Sequence, residues 1–446
     1  VKRQVFQKCI AGAMAFVLFS SLFTGVDKAK AQADLNVNAS GAILVDGKTG
    51  RVLYEKNADT PLGVASMTKM LDEYMLLDAI KKGKVSWDQT YTVDDLVYKI
   101  SQDRSLSNVP LRQGGQYTVK QLYQAMAIYS ADAAAIALAE IMGGSETNFV
   151  KMMNAEAQKL GLKHYKFVNS TGLNNADYKG MQPAEGGPTD ENVMSTRDVA
   201  IVAFRLINDF PEVLKTSSIP TMTFAEGTKD RIVMKNWNWM LPSLVYGYKG
   251  MDGLKTGTTD FAGYCFTGTA ERDGKRFITV VQHATDANGK GGYAARFNET
   301  RKMMDYAFSN YTKQQILPKH FQLKGNKTIP VVNGKSNQVE VYTKSALTIL
   351  AQNGEKQDFK PVLVLDKSKV NSKGELIAPI KKGETVGYVT LQSKTGEKVS
   401  FLTPEGEKNA QVDVVATQDV GQANWFVRMM RGIGHFFSNT WHKIFH

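Results

Sequence analysis

From about residue 36 the hydrophobic pattern mixes strand-like and helix-like stretches, which predicts a mixed α/β unit. Ala42–Val45 and Arg51–Tyr54 flank Asp46-Gly47-Lys48-Thr49-Gly50, apolar runs around a turn-rich segment, and read as a hairpin. A helix is expected from about Ser66, with Met67, Met70, Leu71, Met75 and Leu76 near helical spacing. A second should start after Thr118 as N-cap, carrying Leu122, Ala125, Met126 and Tyr129 toward Ser130. A third apolar helical stretch, Ala133 to Ile141, follows at once. Strand patterns return at Tyr264–Thr267 and Phe277–Val281, and a helix from about Ala294 to Phe308 closes the unit.

Past about Leu317 the pattern changes. Thr328–Val332, Val339–Tyr342, Pro361–Leu365 and Val386–Leu391 alternate with Asn333-Gly334, Asn353-Gly354 and Lys382-Gly383 turns, which predicts a small all-β domain. Residues 421–446 differ again. At about 100° per residue, Phe426, Met429, Met430, Ile433, Phe437, Trp441 and Ile444 share one side of a helix, opposite Asn424, Arg428, Arg431, His435, Asn439 and His442. Such a helix lies in a membrane interface; its apolar runs are too short to span a bilayer. The other reading of the tail is a helix packed on its own β domain.

The N-terminus carries an address. Lys2, Arg3 and Lys8 precede the uncharged run Ile10–Val26, and Ala29-Lys30-Ala31 or Ala31-Gln32-Ala33 offers small residues for cleavage. A retained anchor helix is the alternative, since about 17 apolar residues could just span a bilayer. The expected organisation is therefore a signal peptide (1–33), a catalytic domain (34–314), a small β-rich domain (315–418) and an amphipathic membrane-anchor helix (419–446). It places the protein outside the cytoplasm, on the outer face of the cytoplasmic membrane and peripheral through the tail.

Composition narrows the function. At 446 residues, with 43% hydrophobic and 22% charged, the chain has the balance of a globular protein and not of a collagen, a disordered chain or a polytopic membrane protein. The only cysteines are Cys9 and Cys265, so a disulfide framework and a multi-cysteine zinc site are both excluded. The formal charge of +12 suggests nucleic acid, yet Lys and Arg form no long basic block, and export argues for an anionic wall or membrane surface instead.

The strongest chemical signal is Ser66-Met67-Thr68-Lys69. In a helix, a lysine three residues after a serine stands on the same face, one turn away. A serine hydroxyl is a poor nucleophile until a base takes its proton, and a neutral lysine amine can be that base. A helix N-terminus also offers N–H groups where an acyl oxyanion would develop. Lys255-Thr256-Gly257-Thr258 adds a lysine and hydroxyls suited to a carboxylate, beside a glycine that lets a substrate backbone approach an edge strand. The tripeptides Lys48-Thr49-Gly50 and Lys394-Thr395-Gly396 look like ordinary turns. Ser130, at a junction of helices, supplies a third hydroxyl.

The order Ser-x-x-Lys, Ser-x-x, Lys-Thr-Gly, with the second and third elements 64 and 189 residues after Ser66, resembles the penicilloyl-serine enzymes. Together with Ala65–Met70, Phe167–Leu173, Asp252–Gly257 and Gly268–Glu271, the chain is similar to the low-molecular-mass penicillin-binding proteins that act as D-alanyl-D-alanine carboxypeptidases. The resemblance extends to the signal, the small β domain and the tail. It implies a serine β-lactamase/transpeptidase-like α/β (α+β) domain that removes the terminal D-alanine of peptidoglycan pentapeptide stems. No cofactor or metal is implied, and β-lactam antibiotics would acylate Ser66 as pseudo-substrates. It makes Ser66 the acylated nucleophile, Lys69 its general base and Ser130 the proton relay to the leaving D-alanine. Lys255, Thr256, Gly257 and Thr258 would face the terminal carboxylate side of the substrate, with the Ser66 and Thr258 N–H groups as oxyanion hole. The expected partners are thus the stem peptide, β-lactams and a membrane surface, not nucleic acid.

Two positions depart from the family. Its second motif ends in Asn, where this chain has Asp132, and some relatives place Arg between two asparagines, where this chain has Asn236-Trp237-Asn238. Asp132 counts as a substrate-side residue of altered chemistry; Trp237 receives no role. The alternatives are a β-lactamase, for which the Glu-x-x-x-Asn pair of class A enzymes is missing between Ser130 and Lys255, or a wall-binding, poorly active penicillin-binding protein. His164 and His283 sit in no metal-type or elbow motif, and Cys265 reads as a buried strand thiol and not a partner of His283.

Overall fold

The computed structural model describes residues 35–394 and 399–425. The expected signal peptide with Cys9, the residues 395–396 of the third Lys-Thr-Gly, and the tail from 426 onward lie outside the described residues.

The hairpin forms where its turn residues stand. The Asp46 carboxylate accepts from the Lys48 backbone N–H (3.0 Å) and the Thr49 hydroxyl (2.5 Å), and Gly50 takes φ 68. This joins strands β1 (Ala39–Asp46) and β2 (Val52–Lys56). They belong to a five-stranded sheet with β3 (Met251–Thr259), β4 (Gly263–Arg272) and β5 (Lys275–Ala284), in the order β3-β4-β5-β1-β2, each neighbouring pair antiparallel. The Lys255 strand is therefore an edge, as its glycine-bearing sequence suggested. Both faces are covered. Ile43 and Val45 join the core that holds Val199, Val202 and Leu206 of helix α5 (Thr196–Asp209), while Ala42 and Leu44 join that of Phe297, Met303 and Met304 of helix α6 (Tyr293–Asn310).

The other half is helical. The segment beginning at Ala65 is not an α-helix opened by Ser66. Ala65–Thr68 forms a 3₁₀ turn, and helix α1 (Lys69–Lys81) continues it. Every residue from Lys69 to Leu77 is buried, so α1 is a central helix and not a one-sided amphipathic one. Around it lie α2 (Val119–Tyr129), α3 (Asp132–Gly143) and α4 (Glu146–Leu160). Thr118 caps α2 as expected, its hydroxyl accepting from Gln121 N–H (3.2 Å) while the Gln121 side chain accepts from Thr118 N–H (2.9 Å).

The C-terminal unit is β-rich. A six-stranded sheet contains Gln338–Thr343, Phe359–Leu365, Thr385–Ser393 and Val412–Ala416, and a two-stranded sheet pairs Tyr311–Leu317 with Leu347–Gln352. Its core includes Val339, Val341, Val389 and Val414. The short helix Pro404–Asn409, capped by Thr403 with Pro404 in its first turn, was not expected from the pattern. Arg51 joins the two units. It donates to Leu350 O (3.0 Å), pairs with Glu355 and lies over the Phe359 ring (5.2 Å).

Candidate active site

Ser66 sits in the 3₁₀ turn between sheet and helices, behind Ala65 in the left-handed region (φ 46). The i, i+3 spacing of Ser66 and Lys69 puts one nearly above the other, and Lys69 Nζ donates to Ser66 Oγ at 2.9 Å. Lys69 is fully buried and has two further acceptors, Asp132 Oδ1 at 2.6 Å and Thr171 O at 2.7 Å. Three acceptors exhaust the three donors of an ammonium group. Asp132 thus faces the site, and its partner is Lys69.

The Thr171 carbonyl is delivered by the loop Val168–Leu173. Asn192 Oδ1 accepts from Val168 N–H (2.7 Å) and Asn169 N–H (3.2 Å), and its amide donates to Thr68 Oγ1 (3.0 Å). Asn169 Oδ1 accepts from Gly172 N–H (2.7 Å). Gly172 is obligatory twice over: it has φ +78, and a Cβ there would lie 1.9 Å from Ala65 O. Glu146 holds the same loop, accepting from Ser170 N–H (2.9 Å), Ser170 Oγ (2.6 Å) and Tyr178 OH (2.8 Å).

Ser130 follows α2 at φ 62, a left-handed C-cap that turns the chain into α3 and points the hydroxyl at the edge strand. Lys255 Nζ donates to Ser130 Oγ at 2.7 Å. Burial, then the charge of Lys69, lowers the Lys255 amine to about 7. Gly257 lies against the nucleophile's turn, where a Cβ would sit 2.5 Å from Val64 O. Thr256 is buried and Thr258 exposed at the cleft edge. The structure therefore brings Ser66, Lys69, Ser130, Asp132 and the β3 residues Lys255–Thr258 to one cleft.

Sequence reading missed two features. Arg296, on α6 and 1% exposed, donates from Nη1 to Thr258 Oγ1 (2.8 Å) and Gly257 O (3.1 Å). The Tyr293 and Phe297 rings lie 5.1 Å from its guanidinium and Tyr264 lies 5.9 Å away; burial lowers it to about 10. A signal existed: Arg296 occupies a core position of α6, four residues before buried Thr300 and seven before buried Met303. The second feature is a set of buried carboxyl groups under the lysines. Burial raises Asp72 well above the ordinary carboxylate range and Glu73 to about 7, the latter opposed by the charge of Lys255. It also raises Glu146 and, against the charge of Lys69, Asp132.

Cys265 is fully buried, burial raises its thiol to about 11, and His283 meets it through a backbone N–H (3.5 Å). His164 touches Asp198 through its backbone N–H (2.7 Å). Among the described residues no group of three His, Cys, Asp or Glu is placed to hold a metal.

Residues 27–286 match the family described as D-alanyl-D-alanine carboxypeptidase, and residues 311–422 match the penicillin-binding protein 5 C-terminal domain. The chain is 30% identical to D-alanyl-D-alanine carboxypeptidase DacF of Bacillus subtilis over 97% of its own length and 98% of that protein. Among solved structures, it is similar to a peptidoglycan synthesis regulatory factor, PBP3, from Streptococcus pneumoniae (TM-score 0.70, 32% identity, 86% of this chain and 99% of that one). It also resembles penicillin-binding protein 5 from Haemophilus influenzae (TM-score 0.65, 26% identity, 86% and 98%).

Proposed function

The chain belongs to the D-alanyl-D-alanine carboxypeptidases, serine-type hydrolases acting on peptidoglycan, and from that premise we propose that Ser66 is its acylated nucleophile. The observation that carries this is the pair of short contacts in one cleft, Lys69 to Ser66 Oγ (2.9 Å) and Lys255 to Ser130 Oγ (2.7 Å). Ser66 Oγ attacks the carbonyl carbon of the penultimate D-alanine, and its proton passes to Lys69 Nζ. As found, Lys69 donates to three acceptors and offers no lone pair, so Nζ must first give up a proton to solvent before it can act as the base. The scissile C–N bond breaks as Ser130 protonates the departing D-alanine amine, and Lys255 restores the Ser130 proton. Water then attacks the acyl ester and frees Ser66.

Lys255, Thr256 and Thr258 bind the substrate's terminal carboxylate, Arg296 fixing Thr258, and Gly257 leaves room for the peptide backbone. The N–H groups of Ser66 and Thr258 stabilise the oxyanion. β-Lactams enter by the same attack and stall as esters. One observation favours slow turnover: Asp132 Oδ1 holds Lys69 Nζ at 2.6 Å, a contact that must loosen before Lys69 can take the Ser66 proton. Release of one D-alanine per peptide from a D-Ala-D-Ala-ending pentapeptide, lost in Ser66→Ala, tests the assignment.

Action on peptidoglycan puts the protein at the cell wall. For the finer address we propose export by residues 1–33 and peripheral attachment to the outer face of the cytoplasmic membrane through 419–446, supported by the sequence pattern. No helix among the described residues is long and apolar enough to cross a membrane.

A further inference from the structure

Tyr129 is the last residue of α2, and because Ser130 leaves the helix at φ 62, the Tyr129 carbonyl has no following turn to bind it. Trp237 fills that need: its indole Nε1–H donates to Tyr129 O at 3.0 Å. The loop around the indole is braced on both sides. The Asn236 amide donates to Ser217 O (3.1 Å) and Ile219 O (2.9 Å), and its Oδ1 accepts from Asn238 N–H (2.8 Å). Asn238 Oδ1 accepts from Met240 N–H (3.1 Å), and both asparagines are buried. The two asparagines thus fold the loop on itself and hold the residue between them at the end of α2.

The indole plane is fixed as well as its N–H. Ring centroids of Tyr129, Trp239 and Tyr293 lie 6.2, 6.3 and 6.4 Å from that of Trp237. Tyr293 in turn lies 5.1 Å from the Arg296 guanidinium, which holds Thr258. A continuous chain of contacts therefore runs from the turn before Ser130 to the end of the edge strand, along one side of the cleft.

We propose that Trp237 is a positioning residue for Ser130: its N–H fixes the peptide between Tyr129 and Ser130, and so keeps Ser130 Oγ on Lys255. This gives a role to the tryptophan that stands where some relatives carry arginine. What the site requires at 237 is an N–H donor to a helix-end carbonyl, which tryptophan and arginine share. The inference rests on the proton-relay role proposed for Ser130. Ring packing alone would make the indole nitrogen dispensable.

The experiment uses the full chain with Trp237→Phe, Trp237→His, Trp237→Arg and Ser130→Ala. Stopped-flow acylation by a fluorescent penicillin resolves the initial Kd from the acylation rate constant, and melting reports the fold. Trp237→Phe keeps most ring contacts but has no donor, so its acylation rate constant should fall about tenfold with Kd changed by less than about twofold. The His and Arg variants, which restore a donor, should recover most of that loss. Acylation by the Phe variant at the wild-type rate, or equal slowing in all three variants, would overturn the inference. A Ser130→Ala protein that acylates at full rate would instead remove the relay reading itself, and the inference with it.

Discussion

Asp132→Asn restores the residue that the family places at the end of its second motif, and the structure sets the size of the effect. The carboxylate lies 2.6 Å from Lys69 Nζ, with side-chain exposures of 2% and 0%. At that separation and an effective dielectric of about 20, the attraction is about 6 kcal/mol. The cost of burying both charges offsets most of it. A net residue of about 2 kcal/mol holding the pair together would slow the first proton transfer about thirtyfold relative to a neutral amide. Asparagine still offers Lys69 an acceptor and adds a donor for a substrate carbonyl. Acylation by a fluorescent penicillin, followed by stopped flow, should therefore rise about tenfold or more near pH 7. Melting should change little, because the side-chain shape is retained. Equal or slower acylation across the whole pH range would refute the reasoning and show that Asp132 serves as the carboxylate through which Lys69 loses its proton.

Gly172→Ala should abolish acylation and lower the melting temperature, since the new Cβ meets Ala65 O beside the nucleophile at a backbone of φ +78; wild-type activity would show that the turn gives way. Glu73, raised from 4.5 to about 7, is protonated in the folded protein at pH values where the unfolded chain is ionised. The native state then binds more protons, so stability falls as pH rises from about 4.5 to about 7, by on the order of 3 kcal/mol from this residue. Denaturant titrations of Glu73→Gln should show a fall smaller by that amount, and an unchanged slope would contradict the assignment. Truncation after Gln418 should release the signal-free protein from membranes with D-alanine release intact, whereas high salt alone should release the full-length protein poorly, because apolar burial outweighs the few tail cations. Membranes that still bind the truncated protein would refute the anchor.

Much of this site was legible in the sequence because its residues are chemically unusual at fixed spacings. Ser66 and Lys69 declare themselves by an i, i+3 pair, and Lys255 by a glycine-bearing edge strand. The 3₁₀ geometry at Ser66 was not legible, because Ala65 takes a left-handed backbone only when Gly172, more than a hundred residues away, leaves room for its carbonyl. The partner of Asp132 was not legible either, because only the packing of the helices sets it on Lys69. Arg296 and the buried acids Asp72, Glu73 and Glu146 stood in the sequence as charges on apolar helix faces. Such positions usually read as noise in a periodic pattern, and only long-range packing showed which of them lie beneath the lysines. The β domain was readable from its turns, because Asn-Gly and Lys-Gly pairs mark strand ends wherever the strands later pair.

The most direct test of the central claim is where a penicillin becomes attached. Intact-mass and peptide-mapping measurements on the full chain incubated with a β-lactam should find one adduct, on the peptide containing Ser66, with Ser66→Ala giving neither adduct nor D-alanine from a pentapeptide. An adduct that persists in Ser66→Ala, or one that maps to Cys265, would contradict the account.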